Sequence, residues 1–211
     1  TIAPHLVGLV TPVSLAVARF REITGELDLL VGHADVPWAS IFFKDGGDDY
    51  YSVSRPSVSS TGEVTVRAGD FNRDGNADFA AVDLGSGMVT VKLGGGDGYF
   101  DPAPGSPILG AQFATSFVVA DFNQDGKEDL ALTNAAASLV KIWLGQGIGG
   151  FHSGDTFSVA NRPVAIEAGD FNRDGNPDIA VATERSGSSV LLGDGEGGFF
   201  GGTDYPEGGT L

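Results

Sequence analysis

An acidic block of nine residues occurs three times in this chain at a nearly constant interval. The copies are Asp70–Asp78 (DFNRDGNAD), Asp121–Asp129 (DFNQDGKED) and Asp170–Asp178 (DFNRDGNPD), and the last aspartate recurs after 51 and then 49 residues. A self-similar period of this length is the sequence signature of an array of supersecondary units. The repeat therefore constrains the fold more than any other feature of the chain.

Short apolar runs flank each block and end in glycine-rich turns. In the first acidic copy, Val64–Ala68 precedes the block, Phe79–Val82 follows it, and Met88–Leu93 leads to a turn that closes at Phe100. Such runs predict β-strands, and no stretch keeps the 3.6-residue period of a helix. Four strands in each repeat of about 50 residues predict an all-β fold, a β-propeller of four-stranded antiparallel blades. A stacked β-helix usually has a shorter period and is the weaker alternative.

A degenerate copy of the repeat lies upstream. There Asp28 stands 50 residues before Asp78, but Arg19–Leu27 replaces the acidic block, so the repeat frame persists without its acidic ligands. The predicted blades are 13–62 (degenerate), 63–112, 113–162 and 163–211. Residues 1–12 are predicted to form the outer strand of a preceding or closing blade.

The acidic blocks have the composition of metal sites. Side-chain oxygens occupy positions 1, 3, 5 and 9, glycine at position 6 permits a sharp bend, and the carbonyl of position 7 can turn inward. Hard oxygen ligands in a flexible cage suit Ca²⁺, whereas Mg²⁺ requires stricter octahedral geometry. We expect about three calcium ions per chain. The expected ligands are Asp70, Asn72, Asp74, Asn76 and Asp78; Asp121, Asn123, Asp125, Lys127 and Asp129; and Asp170, Asn172, Asp174, Asn176 and Asp178.

Two other structures share part of this pattern. An EF-hand requires a glutamate at position 12, but Ala81, Leu132 and Val181 stand there, each within an apolar run. A turn rich in Asp, Asn and Gly but without metal is the alternative for any single block. Three blocks in phase, each with three mutually repelling carboxylates, favour metal binding.

The expected ions are structural rather than catalytic. The same ligand set recurs in each copy, and no nucleophile or base stands at a fixed distance from it. The phenylalanines at position 2 should point away from the ligands and anchor the loops in the core. They are Phe71, Phe122 and Phe171.

The pattern Asp-x-Asn-x-Asp-Gly-x-x-Asp, followed by an apolar strand and a Gly-Gly-Phe-type turn, resembles the FG-GAP/VCBS repeats of integrin-α-type β-propellers. The resemblance implies a propeller, usually seven-bladed, with calcium loops at its rim. It also implies a secreted or cell-surface protein that binds carbohydrate or protein ligands. This chain has only four copies, and the first lacks the calcium ligands. We therefore expect a piece of a longer array, or a chain that completes its ring through partners, including self-association at open blade edges.

Composition limits the partners further. The net charge of −16 disfavours nucleic acid and anionic membrane surfaces, because both would repel the chain. No apolar run reaches the about 18 residues of a membrane span, and the absence of cysteine excludes disulfides and thiolate metal sites. The chain starts at Thr1 without an initiator methionine or a signal peptide, as expected of a mature form or an excised fragment.

No motif in the chain indicates an enzyme. Neither a Gly-x-Ser-x-Gly elbow nor a His-Glu-x-x-His helix occurs. The histidines His5, His33 and His152 occupy different repeat positions and are expected to be isolated polar loop residues.

Aromatic side chains offer the one indication of ligand recognition. Each could present a flat face to a sugar, with core packing as the alternative: Trp38, Trp143, Tyr50, Tyr51 and Tyr99. The leading hypothesis is a calcium-stabilised extracellular module that binds a carbohydrate or protein ligand. The alternatives are a non-catalytic domain of a larger secreted enzyme, such as a polysaccharide lyase, and a structural self-assembling array.

Overall fold

The computed structural model describes residues 11–22, 25–44, 46–47, 50–58, 62–108, 113–184 and 187–205. Within these ranges the regular secondary structure consists of β-strands, without any helix. Residues 1–10 of the outer strand expected at 1–12, and with them His5, lie outside the described ranges.

The strands form four antiparallel sheets of four strands, each in sequence order. Blade 1 contains β1 (Pro12–Ala18), β2 (Asp28–His33), β3 (Ser40–Lys44) and β4 (Tyr50–Ser54). Blade 2 contains β5 (Val64–Gly69), β6 (Asp78–Asp83), β7 (Met88–Gly94) and β8 (Phe100–Pro102). Blade 3 contains β9 (Ala114–Ala120), β10 (Asp129–Asn134), β11 (Leu139–Gly145) and β12 (Phe151–Ser158). Blade 4 contains β13 (Pro163–Gly169), β14 (Asp178–Thr183), β15 (Ser188–Gly193) and β16 (Phe199–Tyr205). The predicted all-β fold of four-stranded antiparallel blades is confirmed.

The chain divides into two compact units of two blades each. Unit 1 comprises Thr1–Gln112 with Ile148–Gly150 and contains blades 1 and 2; unit 2 comprises Phe113–Gly147 with Phe151–Leu211 and contains blades 3 and 4. The core of each unit lies between its two blades. In unit 1 it includes Leu30, Ile41, Val66 and Phe79. In unit 2 it includes Ala131, Ile142, Ile166 and Ile179.

The two faces of a blade are distinct because side chains alternate along a strand. Blade 2 turns Val66 and Phe79 toward blade 1, and both side chains are fully buried. Blade 4 turns Ile166 and Ile179 toward blade 3 in the same way. We call this the leading face of a blade. The opposite face, which in blade 1 carries Leu30, is the trailing face.

Glycine ends the third strand of blades 2, 3 and 4 for a steric reason. A Cβ on Gly94 would overlap the carbonyl oxygen of Ala77, and the same is true of Gly145 with Glu128 and of Gly193 with Pro177. Any side chain there would push the third strand away from the acidic loop. The glycine therefore lets the loop and the third strand come into direct contact.

Candidate metal centres

Each acidic block forms the loop between the first and second strands of its blade, and the three loops share one backbone conformation. In blade 2, Arg73 and Gly75 (positions 4 and 6) are left-handed, with φ of 62° and 86°. The equivalent pairs are Gln124 (55°) with Gly126 (78°), and Arg173 (66°) with Gly175 (90°). Left-handed residues at these two positions wind the chain tightly. The loop can therefore point several successive N–H groups at its own side chains.

Those N–H groups hold the side-chain oxygens of positions 1, 3 and 5. Asp70 accepts the N–H of Asp74 (3.2 Å) on one oxygen and that of Gly75 (3.1 Å) on the other. Asn72 Oδ1 accepts the Asp74 N–H at 3.1 Å, and Asp74 Oδ1 accepts the Asn76 N–H at 2.8 Å. The same contacts recur in blade 3 and in blade 4. The expected ligand oxygens are therefore fixed in orientation by the loop itself.

The second oxygen of the position-5 aspartate receives a different donor in blade 3. In blades 2 and 4 the donor is the amide of the position-3 asparagine: Asn72 Nδ2 lies 2.9 Å from Asp74 Oδ2, and Asn172 Nδ2 lies 2.8 Å from Asp174 Oδ2. In blade 3 the ammonium of Lys127 lies 2.6 Å from Asp125 Oδ2. This loop therefore already holds a full positive charge against one of its acids.

The aspartate of position 9 is buried at the start of the second strand, and it joins the second and third strands to the loop. Asp78 is fully buried, accepts the Phe71 N–H on Oδ2 at 2.8 Å, and accepts the Gly94 N–H on Oδ1 at 2.7 Å. Asp129 makes the equivalent contacts at 2.9 and 2.7 Å, and Asp178 makes them at 2.8 and 2.8 Å.

Burial also changes the acidity of two of these carboxyls. Loss of hydration raises the pKa of both Asp78 and Asp129 to about 6, although the backbone N–H donors act in the opposite direction. Removing a carboxylate from water disfavours its charged form unless a positive partner compensates. A bound cation in the adjacent loop would provide such a partner.

Blade 1 keeps the buried aspartate although it has no acidic loop. Asp28 is fully buried, and its two oxygens accept the N–H groups of Phe20 (3.1 Å) and Lys44 (2.9 Å). Arg21 Nη2 lies 3.9 Å from Asp28 Oδ1 and donates to the Lys44 carbonyl at 2.9 Å. Its guanidinium also lies 4.3 Å from the ring centroid of Phe43. A side-chain cation therefore stands beside the closing carboxylate of this blade.

The sequence alone assigns no role to Asp28 or Arg21. A signal for Asp28 was present, because it keeps the 50-residue interval to Asp78 although the Asp and Asn ligands of the other blocks have no counterpart in Arg19–Leu27. No comparable signal identifies Arg21, since its contacts with Lys44 and Phe43 join segments that are distant in sequence.

The prediction that the position-2 phenylalanines are anchored in the core is confirmed for Phe71 and Phe122, which are 2% and 0% exposed. It is wrong for Phe171, which is 52% exposed. A glycine of the same unit contacts the backbone of each of the first two: Gly149 N–H donates to the Phe71 carbonyl (2.9 Å), and Gly197 N–H donates to that of Phe122 (3.2 Å). In the described part of the chain no further sheet follows blade 4, so Phe171 lacks this contact.

The prediction that the histidines are loop residues is wrong for two of them. His33 ends β2, is 3% exposed, and its Nε2 lies 2.8 Å from Ser40 Oγ. Burial lowers the pKa of His33, and the charge of Arg55 adds to this effect. His152 is exposed but lies within β12.

The aromatic side chains differ in their availability to a ligand. Tyr99 is 78% exposed, whereas Trp143 is buried, at 9%. Trp38 is half-buried, with the Arg55 guanidinium 5.8 Å from its ring centroid. The side chain of Tyr51 lies outside the described residues. Among the described rings of this set, Tyr99 is therefore the most accessible.

An open concavity of about 390 Å³ lies between the two blades of unit 1. The ends of β1 and β5 and the acidic loop of blade 2 line it, and its polar side chains are Arg19, Asp70 and Asn76. The concavity therefore combines a cation, a carboxylate and an amide beside small apolar residues.

The donor chemistry of the loops fits calcium. Within the described ranges, no three His, Asp or Glu side chains come together as a ready-made metal cluster. The candidate sets instead mix carboxylates with an asparagine amide and a backbone carbonyl, all of them hard oxygen donors. The described residues also contain no helix long and apolar enough to cross a membrane.

These features define an all-β repeat protein with blades of the β-propeller type and an Asp/Asn-rich loop after the first strand of three blades. A family model described as an FG-GAP-like repeat matches residues 70–132 and 121–181, together more than half of the chain. The chain belongs to this FG-GAP-like repeat family, as the motif predicted. A search of curated protein sequences returned no match.

Solved structures with a similar fold include a lectin of Agrocybe aegerita, described as recognising non-reducing terminal N-acetylglucosamine. It is 19% identical, with a TM-score of 0.62 over 91% of this chain and 51% of that chain. A Lactobacillus plantarum protein is 14% identical, with a TM-score of 0.63 over 94% and 57%. BBS1N in complex with ARL6DN is 14% identical, with a TM-score of 0.56 over 90% and 55%. At these identities the likeness shows the fold alone, and the chain spans about half the length of these solved chains.

Proposed function

We propose that this chain is a calcium-stabilised binding module of a secreted or cell-surface protein, and that its ligand is a carbohydrate. The observation that carries the proposal is the threefold recurrence of one loop, in which backbone N–H groups orient the oxygens of positions 1, 3 and 5. The proposal assigns no catalytic residue. The module holds a rigid surface and recognises a ligand on it.

Calcium binding is supported by the number and kind of donors in each loop. Three carboxylates, one amide oxygen and one main-chain carbonyl fall within nine residues, which suits the six to eight oxygen ligands that calcium takes. Each carboxylate oxygen has more than one lone pair, so an oxygen that accepts one N–H can still face an ion. In blade 2 the ligands would be Asp70, Asn72, Asp74, the carbonyl of Asn76, and Asp78. The ion would place two positive charges among these acids.

Carbohydrate binding is supported by the concavity in unit 1. Sugar hydroxyls both donate and accept hydrogen bonds, and Arg19, Asp70 and Asn76 offer both kinds of partner at its edge. The Agrocybe lectin, which is described as binding a terminal sugar, shares the fold. A calcium loop that forms part of the wall would make ligand binding depend on calcium.

The proposed calcium binding supports an extracellular location. Calcium sites of extracellular modules operate at about 10⁻⁴–10⁻³ M, and the resemblance to FG-GAP repeats implies secreted or cell-surface proteins. Exposed loops of this kind would bind calcium outside the cell without the high affinity that intracellular calcium sensors need.

Isothermal titration of the metal-free chain with calcium, combined with thermal unfolding, tests the first half of the proposal. We expect about three ions per chain and a large fall in Tm with a chelator, because an ion that binds only the folded state stabilises it. Asp70→Asn combined with Asp74→Asn should remove one ion. Four equivalent sites, or none, would contradict the assignment.

Glycan-array binding of the calcium-loaded chain tests the second half. We expect binding to glycans that is abolished by chelation and by Arg19→Ala, and partly kept by Arg19→Lys. His152→Ala, an exposed change in blade 3, is the control and should bind as the parent chain does. If the Arg19 variants bound as the parent chain does, or if the parent chain bound no glycan on the array, a carbohydrate ligand in this concavity would be contradicted.

A further inference from the structure

Blade 1 exposes an apolar face whose equivalents in blades 2 and 4 are buried. Leu15 pairs with Val31 in the register in which Val66 pairs with Ala81 and Ile166 with Val181. Val66 and Ile166 are 0% and 1% exposed because the preceding blade covers them, whereas Leu15 is 59% exposed. Among the described residues, the leading face of blade 1 is therefore left uncovered.

This uncovered face extends over three strands. Val17 pairs with Leu29, and Leu29 pairs with Phe42, so these side chains share the face that carries Leu15 and Val31. Val17 is 53% exposed, and the other three members of the set (Leu29, Val31 and Phe42) are half-buried. A contiguous apolar surface of this kind marks an interaction site rather than ordinary scatter of surface hydrophobics.

Blade 4 exposes the complementary half of the contact. Phe20 and Phe122 are buried and make edge-to-face contacts with an aromatic ring of the next blade, Phe100 and Phe199 respectively, each at 5.5 Å between centroids. Phe171 occupies the same repeat position in blade 4 but is 52% exposed. In the part of the chain that the structure describes, Phe171 therefore has no aromatic partner on the trailing side of blade 4 like those of Phe20 and Phe122.

Blade 1 carries an aromatic residue in the matching register. Tyr50 pairs with Lys44 as Phe100 pairs with Gly94. An incoming blade 1 would therefore bring Tyr50 to Phe171 as blade 2 brings Phe100 to Phe20.

We propose that the leading face of blade 1 binds the trailing face of blade 4 of a second copy of this chain. Both halves of the contact are present on one chain, and the chain already makes the same kind of contact once within each unit. Two copies together also have about the length of the solved chains of similar fold, of which one copy covers 51–57%. The pairing is head to tail, and it involves different surfaces on the two copies. It does not depend on the proposed ligand.

Sedimentation velocity over a range of protein concentrations, at saturating calcium, tests the proposal. We expect the mass to rise above the 21.6 kDa of one chain as concentration increases. Leu15→Asp and Phe171→Ser should each weaken association by about tenfold or more, since each removes apolar contact from the interface. Both positions are more than half exposed, so circular dichroism should show unchanged folding. Tyr99→Asp, at 78% exposure, is the matched control and should associate normally.

Mixing the two variants identifies the geometry of the contact. The Leu15→Asp chain keeps its trailing face and the Phe171→Ser chain keeps its leading face, so an equimolar mixture should form a one-to-one complex. A parent chain that stays at 21.6 kDa, variants that associate like the parent, or a mixture that stays monomeric would each overturn the proposal. Calcium titration of the same samples is expected to be unchanged, and a failure of association with intact calcium binding would leave the proposed function standing.

Discussion

The backbone N–H of Phe20 donates to Oδ2 of Asp28 across 3.1 Å, in a blade that lacks the acidic loop. Blade 2 makes the same contact between Phe71 and Asp78 at 2.8 Å. The buried aspartate thus ties the start of the loop to the second and third strands whether or not the metal ligands are present. In blades 2 to 4, a bound calcium ion would stabilise the loop in addition to this hydrogen bond.

Asp28→Asn should destabilise the chain equally with and without a chelator. The amide can place only one oxygen before two N–H donors, so one buried N–H loses its acceptor, at a cost of about 1–3 kcal/mol. Urea unfolding in calcium and in chelator measures the loss, and Asp155→Asn, an exposed change on β12, is the control. A loss confined to calcium-loaded samples would show that Asp28 acts through metal.

Lys127→Asn should tighten calcium binding in blade 3. The ammonium of Lys127 contacts Asp125 at 2.6 Å and competes with an ion for this carboxylate. Exposed ion pairs contribute about 0.2–1 kcal/mol, so affinity should rise roughly two- to fivefold. The reciprocal change, Asn176→Lys, should weaken the blade 4 loop by a similar factor. Calorimetric titration that finds both changes neutral would contradict the competition.

Gln124→Ala should weaken the calcium loop of blade 4 although Gln124 belongs to blade 3. Its side-chain Nε2 donates to the Gly175 carbonyl at 3.1 Å and to Asn176 Oδ1 at 2.7 Å. Loss of these exposed bonds should lower the calcium affinity of blade 4 about two- to fivefold. Amide NMR shifts of Gly175 during titration report the effect.

The matched control for this prediction is Arg73→Ala, which changes the equivalent position in blade 2. Gln124 and Arg73 have φ of 55° and 62°, so the backbone effect of alanine is similar in the two loops. The Gly175 signal should respond normally in the control. An equal response in both variants would mean that Gln124 does not connect the two loops of unit 2.

His33 should make the chain less stable as the pH falls below about 6.5. Burial, reinforced by Arg55, lowers the pKa of His33 in the folded chain, while nearby Asp35 opposes the shift. The unfolded chain therefore binds the proton more readily, so the stability is complete above the unfolded pKa and declines as the pH drops toward the folded pKa. The difference in free energy of unfolding between the parent and His33→Gln should be constant above pH 7 and should shrink below it. A pH-independent difference would contradict the prediction.

Much of the fold and the candidate loops could be predicted from local pattern. The repeat interval, the apolar runs and the loop glycines act over a few residues, so they specify strands, turns and the order of Asp, Asn and Gly donors without knowledge of the rest of the chain. The left-handed conformation at Gly75 follows from the same local chemistry. The same strands, turns and loop conformation are therefore expected in every blade that contains the acidic block.

Only the tertiary structure decided which side chains are covered. Phe122 and Phe171 occupy equivalent positions in nearly identical blocks, yet one is buried and the other is half exposed, because burial depends on a following blade and not on the block itself. The contacts of Arg21 with Lys44 and Phe43 likewise required segments far apart in sequence to meet. Local periodicity thus determines the repeat, whereas packing between neighbouring blades determines which surfaces remain free to bind.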